Sequence, residues 1–337
     1  MFDRRDVLTG AMAVLISGCI RSGPEPFGKT GADALRQIEA RARGRLGAYV
    51  FDPARNQGFG WRERERFAHC SSFKLSLAAM VLAKAERGEI IPEEVLHWSQ
   101  ADLLSHSPVT SENVAGGLSV KDLAHATVVT SDNTAANVLL QRFGGPGELT
   151  RFWRSLGDTV SRLDRYEPGL NVVPAGSTLD TTTPIAMAVT VAKLLTGEHL
   201  SLEGSATLKQ WMVEAKTGRD RIRAGFPPQW VAGDKTGTGI GSNRHTYVDL
   251  AFGGPPEGPV FVVAAYFEPE HLVEPMDPVS LAVLADVGRV AASMTQSECD
   301  TGSACTERSD ITLAQLSVGS LPKDLAAIGM GRPSHAI

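Results

Sequence analysis

The chain has 337 residues, enough for a sizeable core in one or two domains. Asp and Glu (38) outnumber Lys and Arg (33), and no basic stripe or run is present, which argues against a nucleic-acid partner. The eight histidines and four cysteines show neither H-x-x-x-H nor C-x-x-C spacing, so neither a metal centre nor a cofactor is expected.

Residues 1–19 read as a targeting segment. Arg4 and Arg5 precede an apolar stretch at 7–16 that is too short to span a bilayer. The arginine pair resembles a twin-arginine export signal. Ile16-Ser17-Gly18-Cys19 resembles a bacterial lipobox, in which the cysteine is lipidated and becomes the new N-terminus. The expectation is an exported, periplasmic protein held to a membrane only through lipid on Cys19. The alternative is an ordinary export signal with an incidental cysteine.

Residues 20–31 are rich in Gly and Pro and read as a linker. Helical spacing follows at 32–43, then a strand at 46–52. Asn56-Gln57-Gly58 turns the chain into Phe59-Gly60-Trp61, which predicts a hairpin. Residues 71–87 read as a buried helix, with Leu75, Ala78, Ala79, Leu82 and Ala83 at helical spacing. Further helices are predicted at 120–129, 134–143, 147–156 and 184–195. Short runs rich in Val, Tyr and Phe at 230–237, 246–252 and 260–267 then predict antiparallel strands, and 278–294 predicts a closing helix. This order implies an α/β (α+β) domain over 32–294. Its sheet is built from both ends (32–66 and 214–294), with an all-α part (67–213) inserted and a cleft between. Residues 295–337 lack aromatics and read as a weakly ordered extension with one short helix near 321–328. In an exported protein Cys299 and Cys305 can oxidise to a small-loop disulfide, whereas Cys70 stands alone.

Four short motifs carry chemistry. In C-S-S-F-K, Ser71 and Lys74 are one helical turn apart. A serine needs an adjacent base, and a lysine among apolar neighbours can have its pKa lowered enough to serve. Ser131-Asp132-Asn133 precedes a helix, and N-capping accounts for one of the three. Glu167-Pro168-Gly169-Leu170-Asn171 is loop, because Pro and Gly break regular structure. Taken alone it reads as a solvated turn. K-T-G occurs at Lys29, Lys216 and Lys235, and only the last continues a strand. Ser320 and Lys323 repeat the first spacing, but Pro322 breaks the required turn.

In this order and context the motifs resemble those of class A serine β-lactamases, within the penicillin-recognising serine hydrolases. The resemblance covers about residues 32–294. It implies a five-stranded antiparallel sheet flanked by helices, small-molecule β-lactam substrates and a monomer. It implies Ser71 as nucleophile, Lys74 as its neighbouring base, Ser131 as proton relay and Glu167 as the base that activates the deacylating water, with Asn171 orienting that water; either Lys74 or Glu167, the latter through a water, takes the proton in acylation. Asn133 would bind the substrate's side-chain amide. Lys235, Thr236, Gly237 and Thr238 would line the carboxylate pocket, and the N–H groups of Ser71 and Thr238 would hold the oxyanion. Arg244, on the next strand of the hairpin, and Arg221 both qualify as the arginine for that carboxylate, with Arg244 slightly favoured. His106 falls at a gatekeeper position of the cleft mouth. Arg165 and Asp180 would pair across the neck of the loop, and the Glu167–Pro168 bond would be cis. Some carbapenem-hydrolysing members bond the cysteine beside the nucleophile to one just after K-T-G. Gly239 occupies that place, so Cys70 is expected free and buried. The alternatives are a DD-peptidase and a non-hydrolytic penicillin-binding sensor, which generally lack the Glu167–Asn171 pair.

Overall fold

The computed structural model describes residues 27–300 apart from 242, 257 and 259. In chain order the elements are α1 (Phe27–Ala42), β1 (Gly44–Asp52), β2 (Gln57–Trp61), β3 (Phe67–Ala68), α2 (Phe73–Glu86), β4 (Val95–Leu96), β5 (Leu118–Ser119), α3 (Val120–Val129), α4 (Asn133–Arg142) and α5 (Pro146–Ser155). They continue with β6 (Thr181–Thr182), α6 (Pro184–Leu195), α7 (Leu202–Glu214), β7 (Val231–Ile240), β8 (His245–Gly254), β9 (Phe261–Pro269) and α8 (Pro278–Asp300).

Five strands form one antiparallel sheet in the order β2-β1-β9-β8-β7. The period-2 alternation of strands divides its side chains between two cores. Val262, Ala264 and Tyr266 of β9 face the helical part, with Val248, Leu250 and Phe252 of β8. Val263, Ala265 and Phe267 face the other way, with Leu35 and Ile38 of α1 and Leu284 and Val287 of α8. Both faces of β8 and β9 are therefore covered, which explains why these strands read as continuous apolar runs. Each fully buried large apolar side chain contributes roughly 1.5–3 kcal/mol.

The helical part centres on α2, whose residues Phe73 to Val81 are all buried. A helix apolar all round belongs inside a core. Its neighbours start at side-chain caps: Ser119 accepts from Asp122 N on α3, Asp132 from Ala135 N on α4, Thr183 from Ala186 N on α6, and Ser201 from Gly204 N on α7.

Several boundaries differ from the sequence reading. α1 begins at Phe27, so the expected linker over 20–31 ends earlier and its Lys29 is helical. The segment predicted as helix from Ser71 opens with a 3-10 turn, Cys70–Ser72, and becomes α-helical only at Phe73. α4 starts at Asn133 because Asp132 is its cap. α8 runs to Asp300, past the expected end at Met294. Arg244 lies in the turn before β8, not on the strand. The mostly helical part also holds two small ribbons, β3–β6 and β4–β5. The export segment, Cys19 and the expected Cys299–Cys305 pairing lie outside the described residues, as do 301–337. No described helix is long and apolar enough to cross a membrane.

Candidate active site

Between the sheet and the helices, the turn Cys70–Ser72 presents Ser71. Cys70 has φ +45°, a left-handed conformation that a non-glycine residue adopts at a cost. The turn is tied by Ser72 N and Oγ, both donating to His69 O (3.1 and 2.8 Å), while His69 N donates to Asp180 O at 3.0 Å. One turn on, Lys74 is fully buried because α2 is enclosed all round. Its Nζ donates to Ser71 Oγ (2.9 Å), Ser131 O (2.9 Å) and Asn133 Oδ1 (2.5 Å), and lies 3.0 Å from Glu167 Oε1. An ammonium has three protons, so these four acceptors compete for them. Burial pulls the Lys74 pKa below its ordinary value, and the Glu167 carboxylate opposes that pull. Ser71 Oγ donates to Glu167 Oε1 at 3.1 Å, so the hydroxyl has a base candidate on two sides.

Strand β7 forms the opposite wall. Lys235 is fully buried and donates to Ser131 Oγ (3.0 Å) and Thr236 O (2.6 Å). Burial, and then repulsion from Lys74, push its pKa well down. Ser131 has φ +60° and so bridges the two lysines, its carbonyl on Lys74 and its hydroxyl on Lys235. The strand passes very close to the nucleophile turn: a Cβ at Gly237 would sit 2.8 Å from His69 O and 3.0 Å from Ser72 N. Only glycine permits that approach. A Cβ at Gly239 would lie 2.8 Å from Cys70 Sγ. Cys70 is free and buried, with its thiol pKa raised by burial, as expected.

The two arginines separate clearly. Arg221 is buried against β7 and β8, where Nη1 donates to Gly237 O (2.9 Å) and Val248 O (2.7 Å), and Nη2 to Thr238 Oγ1 (2.7 Å). Arg244 instead turns to Glu268 at 3.4 Å, with its side chain 36 % exposed. Arg221 thus reaches the Thr238 side chain of the expected carboxylate pocket, while Arg244 is paired with Glu268. His106 is exposed, with Nε2 2.9 Å from Thr130 O and its carbonyl accepting from Asn133 N at 3.0 Å. Asn133 Nδ2 donates to Ser105 O (2.8 Å), which fixes the amide orientation that offers Oδ1 to Lys74.

The loop supplies the third wall. Glu167–Pro168 is cis, and the Glu167 side chain is fully buried. Asn171 Nδ2 donates to Glu167 Oε2 at 2.5 Å, while Asn171 Oδ1 is buried without a partner. The neck is closed as expected: Arg165 Nε donates to Asp180 Oδ2 (2.6 Å), and the N–H groups of Asp164 and Arg165 donate to Asp180 Oδ1 (2.7 and 3.0 Å). Among the described residues no group of His, Cys, Asp or Glu is placed to hold a metal ion.

Two contributors escaped the sequence reading. Asn137 holds the Glu167 backbone on both sides, Nδ2 to its carbonyl (2.9 Å) and Oδ1 from its N–H (3.0 Å). Its position four residues after Asn133 on one helix was the available signal. Thr217, in the K-T-G copy set aside at Lys216, places Oγ1 2.7 Å from Thr236 Oγ1. The two copies are thus joined through their threonine hydroxyls.

A family model described as "Beta-lactamase enzyme family" matches residues 31–294. The chain is 40 % identical over 272 residues to Beta-lactamase L2 of Stenotrophomonas maltophilia, covering 80 % of this chain and 88 % of that one. It is 41 % identical over 276 residues to a β-lactamase of Mycobacterium tuberculosis, covering 78 % and 88 %. Among solved structures, the class A β-lactamase of the last common ancestor of Gram-negative bacteria superposes with a TM-score of 0.74 at 43 % identity, over 79 % of this chain and 99 % of that one.

Proposed function

The chain belongs to the class A β-lactamase family, and on that premise we propose how its residues divide the hydrolysis of a β-lactam amide between them. It is a serine β-lactamase, a hydrolase acting on β-lactam antibiotics and so an enzyme of antibiotic resistance.

Ser71 Oγ attacks the β-lactam carbonyl. Its proton passes to the Lys74–Glu167 pair, both of whose members lie within hydrogen-bond reach of the hydroxyl. The oxyanion is held by the N–H groups of Ser71 and Thr238; β7 is an edge strand, so alternate N–H groups face away from β8. Ser131, bonded through its hydroxyl to Lys235, delivers a proton to the departing ring nitrogen. Lys235, Thr236, Thr238 and Arg221 receive the substrate carboxylate. Asn133 Oδ1 keeps a second lone pair beyond the one on Lys74 and accepts from the acyl side-chain amide. Water then enters between Glu167 and Asn171 and is activated by the glutamate.

The observation that carries this reading is the position of the Glu167 carboxylate. It lies 3.1 Å from the nucleophile on one oxygen and 2.5 Å from Asn171 on the other, beside the unpartnered Asn171 Oδ1. One group thus reaches the ester site while its partner offers an acceptor for a water. Glu167→Ala tests it. Acylation by a penicillin persists, deacylation slows by about 10³, and intact-mass spectrometry shows a lasting penicilloyl adduct. Wild-type turnover in this variant would falsify the assignment.

The arginine pair and the lipobox-like run ending at Cys19 support a periplasmic enzyme anchored by lipid. Cys19→Ala is then expected to move the protein from the membrane fraction to the soluble one.

A further inference from the structure

We propose that Met276 is an oxidation site that tunes the carboxylate pocket. In its reduced form the thioether leaves Arg221 to the substrate, and as the sulfoxide it competes for it. The inference rests on the reading of Arg221 as the carboxylate ligand.

Three observations meet at this residue. First, Met276 Sδ lies 3.9 Å from Arg221 Nη2. Elsewhere on that guanidinium, Nη1 spends its protons on two backbone carbonyls, and Nε is buried with no partner. Nη2, shared between Thr238 Oγ1 and the thioether, is the terminus left to a substrate. Second, Met276 is 46 % exposed, the one exposed methionine among the described residues, so a dissolved oxidant meets this side chain before the buried ones. Third, it has φ +62°, a conformation a non-glycine side chain adopts only when its surroundings hold it there. They do so on both sides. Tyr247 Oη donates to Glu274 O and accepts from Asp277 N, each at 3.4 Å. Asp277 Oδ2 accepts from Ser280 N and Oγ at the start of α8. The span between these ties is short, and it sets the sulfur against the arginine.

The chemistry needs a peroxide as oxidant. A sulfur lone pair attacks one peroxide oxygen, the O–O bond breaks, and the released hydroxide takes a proton to leave as water. The sulfur is oxidised to the sulfoxide and the peroxide is reduced. A thioether is a weak acceptor. A sulfoxide oxygen on the same sulfur is a strong one, and it meets the Nη2 proton that a substrate carboxylate would use. Binding weakens while the groups around Ser71 are untouched.

The test treats the purified full-length enzyme with hydrogen peroxide and follows benzylpenicillin hydrolysis. The expected result is one added oxygen on the peptide containing Met276. KM rises about tenfold, the scale of one charge-assisted hydrogen bond. kcat is nearly unchanged, and methionine sulfoxide reductase reverses the effect. In Met276→Leu, KM keeps its own untreated value after peroxide. Met276→Gln, which places a carbonyl oxygen there, shows the raised KM without peroxide. The proposal is overturned if Met276 resists oxidation, if its oxidation leaves KM unchanged, or if peroxide raises the KM of Met276→Leu as much as that of wild type. Arg221→Gln separates the two layers. A raised KM in that variant without any peroxide effect in wild type sinks the oxidation site alone, whereas an unchanged KM sinks the reading of Arg221.

Discussion

The nucleophile side of the cleft hangs on regular elements, whereas the side that carries Glu167 and Asn171 has only the three-residue turn Gly169–Asn171. Lys74 rides on a helix enclosed by core, and Lys235 on a strand paired residue by residue with β8. The loop reaches the core through Leu163 and Leu170, and its catalytic-side residues are held by individual polar contacts: Asp180 on Arg165 and two backbone N–H groups, and Asn137 on both backbone groups of Glu167. Lys74 and Lys235 are therefore positioned mainly by burial in regular elements, and Glu167 mainly by hydrogen bonds to its backbone. The second kind of support yields to single substitutions without loss of the fold.

The largest effect belongs to the nucleophile. Ser71→Ala is expected to lower turnover on the order of 10⁶-fold and to abolish the adduct altogether, with near-native thermal unfolding. Set against Glu167→Ala, which accumulates adduct, it separates the two walls. Asp180→Asn sharpens the contrast at a distance from the chemistry. Loss of the neck charge should slow deacylation about 10²-fold, the cost of a displacement near 1 Å, while the acylation burst in rapid-quench experiments stays within a few-fold. A burst that falls in parallel would mean that the loop supports both steps.

His69 offers a way to break the nucleophile wall by pH. It is fully buried and stacks on Trp153 with centroids 4.8 Å apart. Burial holds its pKa down at about 3, against an unfolded value near 6.5. Between these values the unfolded chain binds the proton and the folded one does not. The stabilisation is therefore present above about pH 6.5 and is lost as pH falls toward 3, by roughly 2–3 kcal/mol at pH 4.5. Urea unfolding at pH 7 and pH 4.5 should show that loss in the wild type and a smaller one in His69→Phe. The smallest effect is expected at the pocket's far edge: Arg221→Gln raises penicillin KM about tenfold, and Arg244→Gln, whose partner is Glu268, changes it less than about twofold.

The same division governed what could be read from the sequence. Helices α2, α3 and α6 and the sheet announced themselves because burial imposes periodicity, and motif order then gathered Ser71, Lys74, Ser131 and Lys235 in one cleft. Loop supports leave no period. Asn137 looks like any polar residue on a helix, and Thr217 sat in a tripeptide whose context favoured its twin. That Arg221 lies against β7 and β8 while Arg244 turns to Glu268 is a matter of side-chain direction, which strand register alone does not say. The opening of the Ser71 segment as a 3-10 turn was likewise hidden, because the apolar spacing continues unbroken into α2.

Gly237 carries a consequence beyond catalysis. β7 is an outer strand of ten residues, and an unpaired strand edge is a template on which another chain can add. The backbone of the nucleophile turn lies against its middle, so close that no side chain fits at Gly237. The contact covers one face of β7 at its middle, where a side chain would lift the strand off the turn, so the spacing between serine and strand rests on the absence of one atom.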